Sequence, residues 1–241
     1  MTASLAAIAI GTETEGSIIS PSSMCGLVGV KPTVGLVGGA GIVPISHSWD
    51  TAGPMARTVA DAAFLLGAIA RKDYTRALDR DGARGARIGV LRRSYGEMSP
   101  LVEAAFAAAL EDLRRLGAVL VDPVEIARAK DVGGVALEVQ LFELNAGMAA
   151  YLATRPEQPA RTLEALVKFN VAHAAEEMPW FGQELFEKAV SMKGLDSPHY
   201  VEALAWVRRV IRDEGVDAVM AANKLDALVA PTGGPAGGPT S

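Results

Sequence analysis

The chain has one cysteine, Cys25, in 241 residues. That excludes a disulfide framework within the chain and any multi-cysteine metal site. Three histidines, His47, His173 and His199, are scattered without metal-ligand spacing, so no metal is expected. No apolar run approaches the roughly 18 residues of a spanning helix. The N-terminus has no basic region ahead of its short apolar run, which argues against a signal peptide. Basic residues are outnumbered by acidic ones, and the net charge of −5 disfavours nucleic acid or an anionic membrane as partner. These absences leave a cytoplasmic protein as the expectation, with no membrane and no nucleic acid among its partners. They do not address its oligomeric state.

What is present is most distinctive near the start, in Gly11-Thr12-Glu13-Thr14-Glu15-Gly16-Ser17-Ile18-Ile19-Ser20-Pro21. The apolar run Leu5–Ile10 leads into it and reads as a buried strand or the end of a helix. No side chain between Gly11 and Ser17 is apolar. Gly11 and Gly16 allow backbone angles closed to other residues, so the chain can turn sharply and present consecutive N–H groups. Ser17 then sits where a strand gives way to a constrained loop. A nucleophile beside oxyanion-stabilising amides is presented in this way. An ordinary Gly/Ser/Thr-rich surface turn has the same composition, and on spacing alone that reading is preferred.

Half of the residues are apolar, enough for a sizeable core in one large domain or two small ones. Residues 27–57 are punctuated by Gly and Pro and read as loops and short strands. Gly35–Gly41 is not a phosphate cradle, because no Lys-Ser or Lys-Thr pair and no helix pattern follow it. Thr58 with Asp61 resembles a capping box, and Ala62, Leu65, Leu66 and Ile69 continue it as one helix face up to Arg71-Lys72-Asp73. Residues 74–86 read as a solvated connector. Arg87–Leu91 is a strand. Ser99-Pro100 opens a helix lined by Phe106, Leu110, Leu113 and Leu116, Gly117 closes it, and Ala118–Val121 is a second strand. A crossover helix of that length favours a parallel pair.

From Gly134 to Gly215 the pattern is helical, with segments near 134–154, 162–176, 182–192 and 197–214. Tyr200, Leu204, Val207 and Ile211 form the inner stripe of the last. Glu143 with Asn145 reads as a helix cap, His173 with Glu176 and Glu177 as a surface charge cluster, and Trp180-Phe181 as a core anchor. Each reading is preferred to pocket lining. Leu225–Thr232 is one more buried strand, and Gly233–Ser241 has the composition of a disordered tail.

The run Ser17-Ile18-Ile19-Ser20-Pro21-Ser22-Ser23-Met24-Cys25-Gly26-Leu27-Val28-Gly29-Val30-Lys31-Pro32-Thr33 resembles the signature region of the amidase signature family. The block from Gly41 through His47, Asp50, Gly53 and Arg57 to Ala63 is similar to the family's next block, in order and at the usual distance. The acidic turn, with Glu13 and Glu15, most resembles the peptide-amidase and plant-type branch. The resemblance extends more weakly to Ala236. It implies an α/β fold, part of the amidase-signature fold, with a mixed β-sheet core flanked by helices and a mostly helical C-terminal half. The whole chain is then a single incomplete amidase domain, with a signature loop and βαβ part over 1–132, a helical part over 133–224, and a return strand and tail over 225–241.

The same resemblance implies hydrolysis of linear carboxamides to acid and ammonia or amine through an acyl-serine intermediate, with no cofactor. Ser17 maps to the nucleophile, and the backbone amides of Thr14, Glu15, Gly16 and Ser17 map to the oxyanion hole. The partner is a small-molecule or peptide amide, whose binding residues stay unassigned. The family triad also has a bridging serine in a cis peptide and a lysine base, both upstream of the nucleophile. The 16 residues before Ser17 hold neither a Gly/Ser-rich segment nor a lysine. The chain therefore reads as an N- and C-terminally truncated piece with little activity of its own. Lys31 resembles a scaffold residue of the family. Ile19 stands where many members carry arginine, and Glu15 replaces a common glycine. Both tell against a glutaminase-type component of an amidotransferase complex, and the Glu15 carboxylate would disfavour anionic substrates. A non-catalytic remnant is the third reading.

Overall fold

The computed structural model describes residues 1–92 and 98–235. Of the expected tail, residues 236–241 lie outside the described part, as does the far end of the family resemblance at Ala236. The chain divides into two units. One comprises residues 1–38, 51–130 and 209–241, the other residues 39–50 and 131–208.

In the first unit, strand β1 (Ile8–Glu13) leads through a turn into the short helix α1 (Ile19–Met24), followed by β2 (Val28–Gly29) and β3 (Thr51–Ala56). The three strands form an antiparallel sheet in the order β1-β3-β2, with Gly11 opposite Gly53. Leu5–Ile10 is thus not a buried element. Among the described strands β1 pairs with β3 alone, and Ile8 and Ile10 are exposed. Apolar content suggested burial, but a strand at a sheet edge covers only one of its faces and one of its sides.

Helix α2 (Val59–Ala70) starts where the capping signal puts it. Thr58 Oγ1 accepts from the Asp61 N–H at 3.1 Å and donates to the Asp61 carboxylate at 2.8 Å. Ala62 and Leu65 are buried on its inner face, and Leu66 and Ile69 are half-buried. The parallel pair is also as expected. Strand β4 (Arg87–Leu91), helix α3 (Pro100–Arg115) and β5 (Val119–Val124) form a βαβ unit, with Ser99 capping Val102 N–H and Gly117 closing the helix at φ +88°. Strand β6 (Ala227–Val229) adds in parallel on the other side of β4, giving the order β5-β4-β6. It is shorter and more exposed than the buried strand expected over 225–232.

The second unit is built on α4 (Gly133–Ala153). Val139, Leu141, Phe142, Leu144, Met148 and Leu152 are all buried, so the helix is covered on several faces, as an almost uncharged apolar sequence requires. It packs with α5 (Leu163–Ala172) and with α7 (Glu184–Val190), which follows the one-turn α6 (Ala174–Glu177), through Leu163 and Ala189. It also packs with α8 (Pro198–Arg208) through Tyr200 and Ala203. The α-helical pattern expected to 214 stops at Arg208. Residues Arg209–Asp217 continue as a π-helix, and α9 (Ala218–Asn223) follows in the first unit.

Candidate active site

Strand β1 ends on Glu13, whose side chain is 5% exposed and turns back over the next six residues. Its Oε1 accepts the Gly16 N–H at 2.8 Å, and its Oε2 accepts those of Ile18 at 2.8 Å and Ile19 at 3.0 Å. The first N–H groups of a helix have no partner within the helix, and α1 has no capping side chain of its own. The strand's last carboxylate supplies what is missing. Lys31 completes the arrangement, its Nζ donating to the Thr14 carbonyl at 2.5 Å and standing 3.9 Å from Glu13 Oε1.

Two glycines make the turn possible. Gly16 has φ +84°, a region that L side chains enter only with strain. Gly53 lets Ile18 reach the sheet, because a Cβ on Gly53 would stand 2.0 Å from the Val30 carbonyl oxygen and 3.0 Å from Ile18 Cδ1. Ile18 is fully buried as a result, while the preceding Ser17 is exposed. One residue anchors the turn and its neighbour offers a hydroxyl to solvent. Strand, constrained turn and helix thus follow one another around Ser17.

Of the four residues expected to supply oxyanion amides, Thr14 to Ser17, Gly16 has its N–H on Glu13 Oε1. Glu13 itself went unrecognised in the sequence, where it counted only as one of two acidic turn residues. Its position at the last residue of a strand, one short turn ahead of a helix that has no capping residue of its own, is the signal that identifies it. Glu15, by contrast, is exposed next to Ser17.

A second buried carboxylate organises the other unit. Glu143 Oε2 accepts from Ser46 Oγ at 2.5 Å and Ser48 N at 3.0 Å, and its Oε1 accepts from Ser48 Oγ and Tyr200 OH, both at 2.7 Å. His47 Nδ1 lies 3.4 Å away. Glu143 is therefore not the helix cap its sequence position suggested. It ties the loop 39–50 to α4 and α8. Burial alone would raise its pKa, but the Ser46 and Ser48 hydroxyls, the Ser48 N–H and the Tyr200 hydroxyl outweigh that and hold it below the ordinary value. The Tyr200 phenol is pushed up to about 12 by burial and by its bond to Glu143. Every polar contact here is internal, so the cluster reads as structural.

The family model described as amidase matches residues 1–238. The chain belongs to the amidase family. It is 34% identical to a probable amidase of Arabidopsis thaliana over 95% of its own length and 47% of the relative's. It is also 35% identical to a glutamyl-tRNA(Gln) amidotransferase subunit from Myxococcus xanthus, over 93% of its length and 48% of that protein. Among solved structures it is similar to the peptide amidase of Stenotrophomonas maltophilia, with a TM-score of 0.87 and 44% identity over 95% of this chain and 50% of that one. The family member thus has the mixed α/β amidase-signature fold, and the chain spans about half the length of the relatives it matches. Among the described residues no helix is long and apolar enough to cross a membrane.

Proposed function

We propose that this amidase-family chain carries the nucleophile half of an enzyme that hydrolyses linear carboxamides. The observation that supports this most is Ser17, a solvent-exposed hydroxyl on a turn fixed by buried Glu13 and buried Ile18. In this reading Ser17 Oγ attacks the amide carbonyl, and its proton passes by way of the relay serine and lysine of the family pattern to the departing nitrogen. The oxyanion is held by backbone amides of the Thr14–Ser17 turn. Ammonia or an amine leaves, and water then releases the acid from the acyl-serine. The Glu15 carboxylate beside Ser17 disfavours anionic ligands. A single cysteine, and so no disulfide within these residues, is in keeping with a cytoplasmic setting.

A serine hydroxyl is a weak nucleophile without a base. Lys31 is not given that role, since it is held on the Thr14 carbonyl. In the family pattern the relay serine and the lysine lie upstream of the nucleophile, and residues 1–16 contain no lysine. Loss of both from an interdependent triad lowers turnover by on the order of 10⁴–10⁶. These 241 residues alone are therefore expected to turn over slowly or not at all.

A serine-directed covalent probe, followed by peptide mass spectrometry, tests the assignment. Ser17 is expected to be labelled in the folded protein and Ser17→Ala to be inert. Labelling that is absent, or unchanged in the variant, would end the catalytic reading and leave the non-catalytic one. The similarity to an amidotransferase component keeps a glutaminase reading as the second choice. Ammonia release from glutamine in preference to an amidated peptide would favour it.

A further inference from the structure

Trp180 and Phe181 were expected in the core of the helical unit, and the structure places them outside it. They are 90% and 81% exposed. Two adjacent aromatic side chains in water are costly in apolar surface and are informative in a way that scattered exposed leucines are not. The pair is displayed from an anchored segment. Gln183 Nε2 donates to the Val167 carbonyl at 3.1 Å, and Asn170 Nδ2 donates to Gln183 Oε1 at 2.9 Å, tying the 178–183 connection back to α5. Leu185, at the start of α7, is exposed as well.

Along the chain, the charge between Lys168 and Lys188 has one sign. Between Lys168 and Lys188 there is no lysine or arginine, while Glu176, Glu177, Glu184 and Glu187 flank the aromatics on both sides. The first three are exposed at the end of α6 and the start of α7. The Glu184 carboxylate bends back toward the pair, with Oε1 2.6 Å from where a Cβ on Gly182 would stand. Indole and phenyl faces attract cations, and carboxylates beside them add a longer-range pull. An anionic lipid surface or nucleic acid would be repelled.

We propose that the segment 176–187 is a docking site for a basic, apolar stretch of polypeptide, in which lysine or arginine meets the glutamates and Trp180 while apolar side chains cover Phe181 and Leu185. The proposal does not depend on Ser17 or on amide hydrolysis.

The probe is a synthetic peptide alternating leucine and lysine, titrated by calorimetry against the full chain, with the same peptide carrying glutamate for lysine as control. The lysine peptide is expected to bind and the glutamate peptide not to. The double variant Trp180→Ala/Phe181→Ala should weaken binding by about tenfold or more, as for aromatic anchors generally. Glu176→Gln/Glu177→Gln/Glu184→Gln should weaken it and flatten its dependence on salt. All five positions are exposed, so thermal melting should be unchanged, which verifies folding. Equal binding of the two peptides, or an unaffected double variant, would overturn the proposal. So would self-association in sedimentation that Trp180→Ala abolishes, which would assign the face to a second copy.

Discussion

Glu13 and Lys31 stand 3.9 Å apart and grip one turn through complementary groups. The carboxylate takes the N–H groups of Gly16, Ile18 and Ile19, and the ammonium takes the carbonyl of Thr14. The turn that carries Ser17 is thereby held from both kinds of backbone dipole, and its rigidity rests on two side chains that never touch a substrate in the proposed reaction.

Removing the carboxylate should be expensive. Glu13→Ala strands three N–H groups, and at roughly 1–3 kcal/mol for a buried donor left unpaired the loss should reach several kcal/mol. Glu13→Gln keeps one acceptor oxygen and should fall between. Urea denaturation measures the loss, and hydrogen exchange at Ile18 and Ile19 should accelerate in both variants. Unchanged exchange would show that Glu13 is not what orders the turn.

The two glycines should fail differently. Gly16→Ala places an L residue at φ +84°, a cost of about 1–2 kcal/mol, with little crowding. Gly53→Ala puts a methyl group 2.0 Å from a carbonyl oxygen, so the sheet must shift, at about 1–3 kcal/mol or more, and Ile18 is displaced with it. Gly53→Ala should therefore reduce covalent labelling of Ser17 more than it reduces stability, and paired melting and labelling measurements would show the split.

Acid should loosen the second unit. The folded pKa of Glu143 is depressed, so its contribution to stability is fully present above the unfolded carboxylate value and is lost as pH falls through the folded one. A denaturation midpoint followed from neutral pH downward should drop through that window in the natural protein and less steeply in Glu143→Gln. Tyr200→Phe removes one of the four donors and should cost about 1–2 kcal/mol at neutral pH. Identical acid profiles for the natural protein and Glu143→Gln would dissociate the carboxylate from the effect.

The open side of β1 should make the chain sticky. Ile8 and Ile10 are exposed on a strand that pairs with β3 alone among the described strands, and such edges template pairing between molecules. Ile10→Lys should suppress aggregation with little change in melting, as followed by light scattering. A sharp monomeric gel-filtration peak for the natural sequence would remove the need for the substitution.

Where the sequence alone was sufficient, the interactions were local. Thr58 caps Asp61 three residues on, Ser99 caps Val102, Gly117 ends α3, and the length of the α3 crossover made β4 and β5 parallel. Each depends on residues close in the chain, and their chemistry and spacing decide them. The presence of a Gly- and Ser-rich turn at Ser17 was legible for the same reason. Tertiary structure alone decided which carboxylates are buried and which aromatics are not. Glu143 finds its donors about a hundred residues away in Ser46 and Ser48, and Trp180 faces solvent while α4 packs with α5 and α7 in one cluster and with α8 in another. A side chain's partners across such distances depend on how the elements pack, and helical periodicity records only that a face exists, not what covers it.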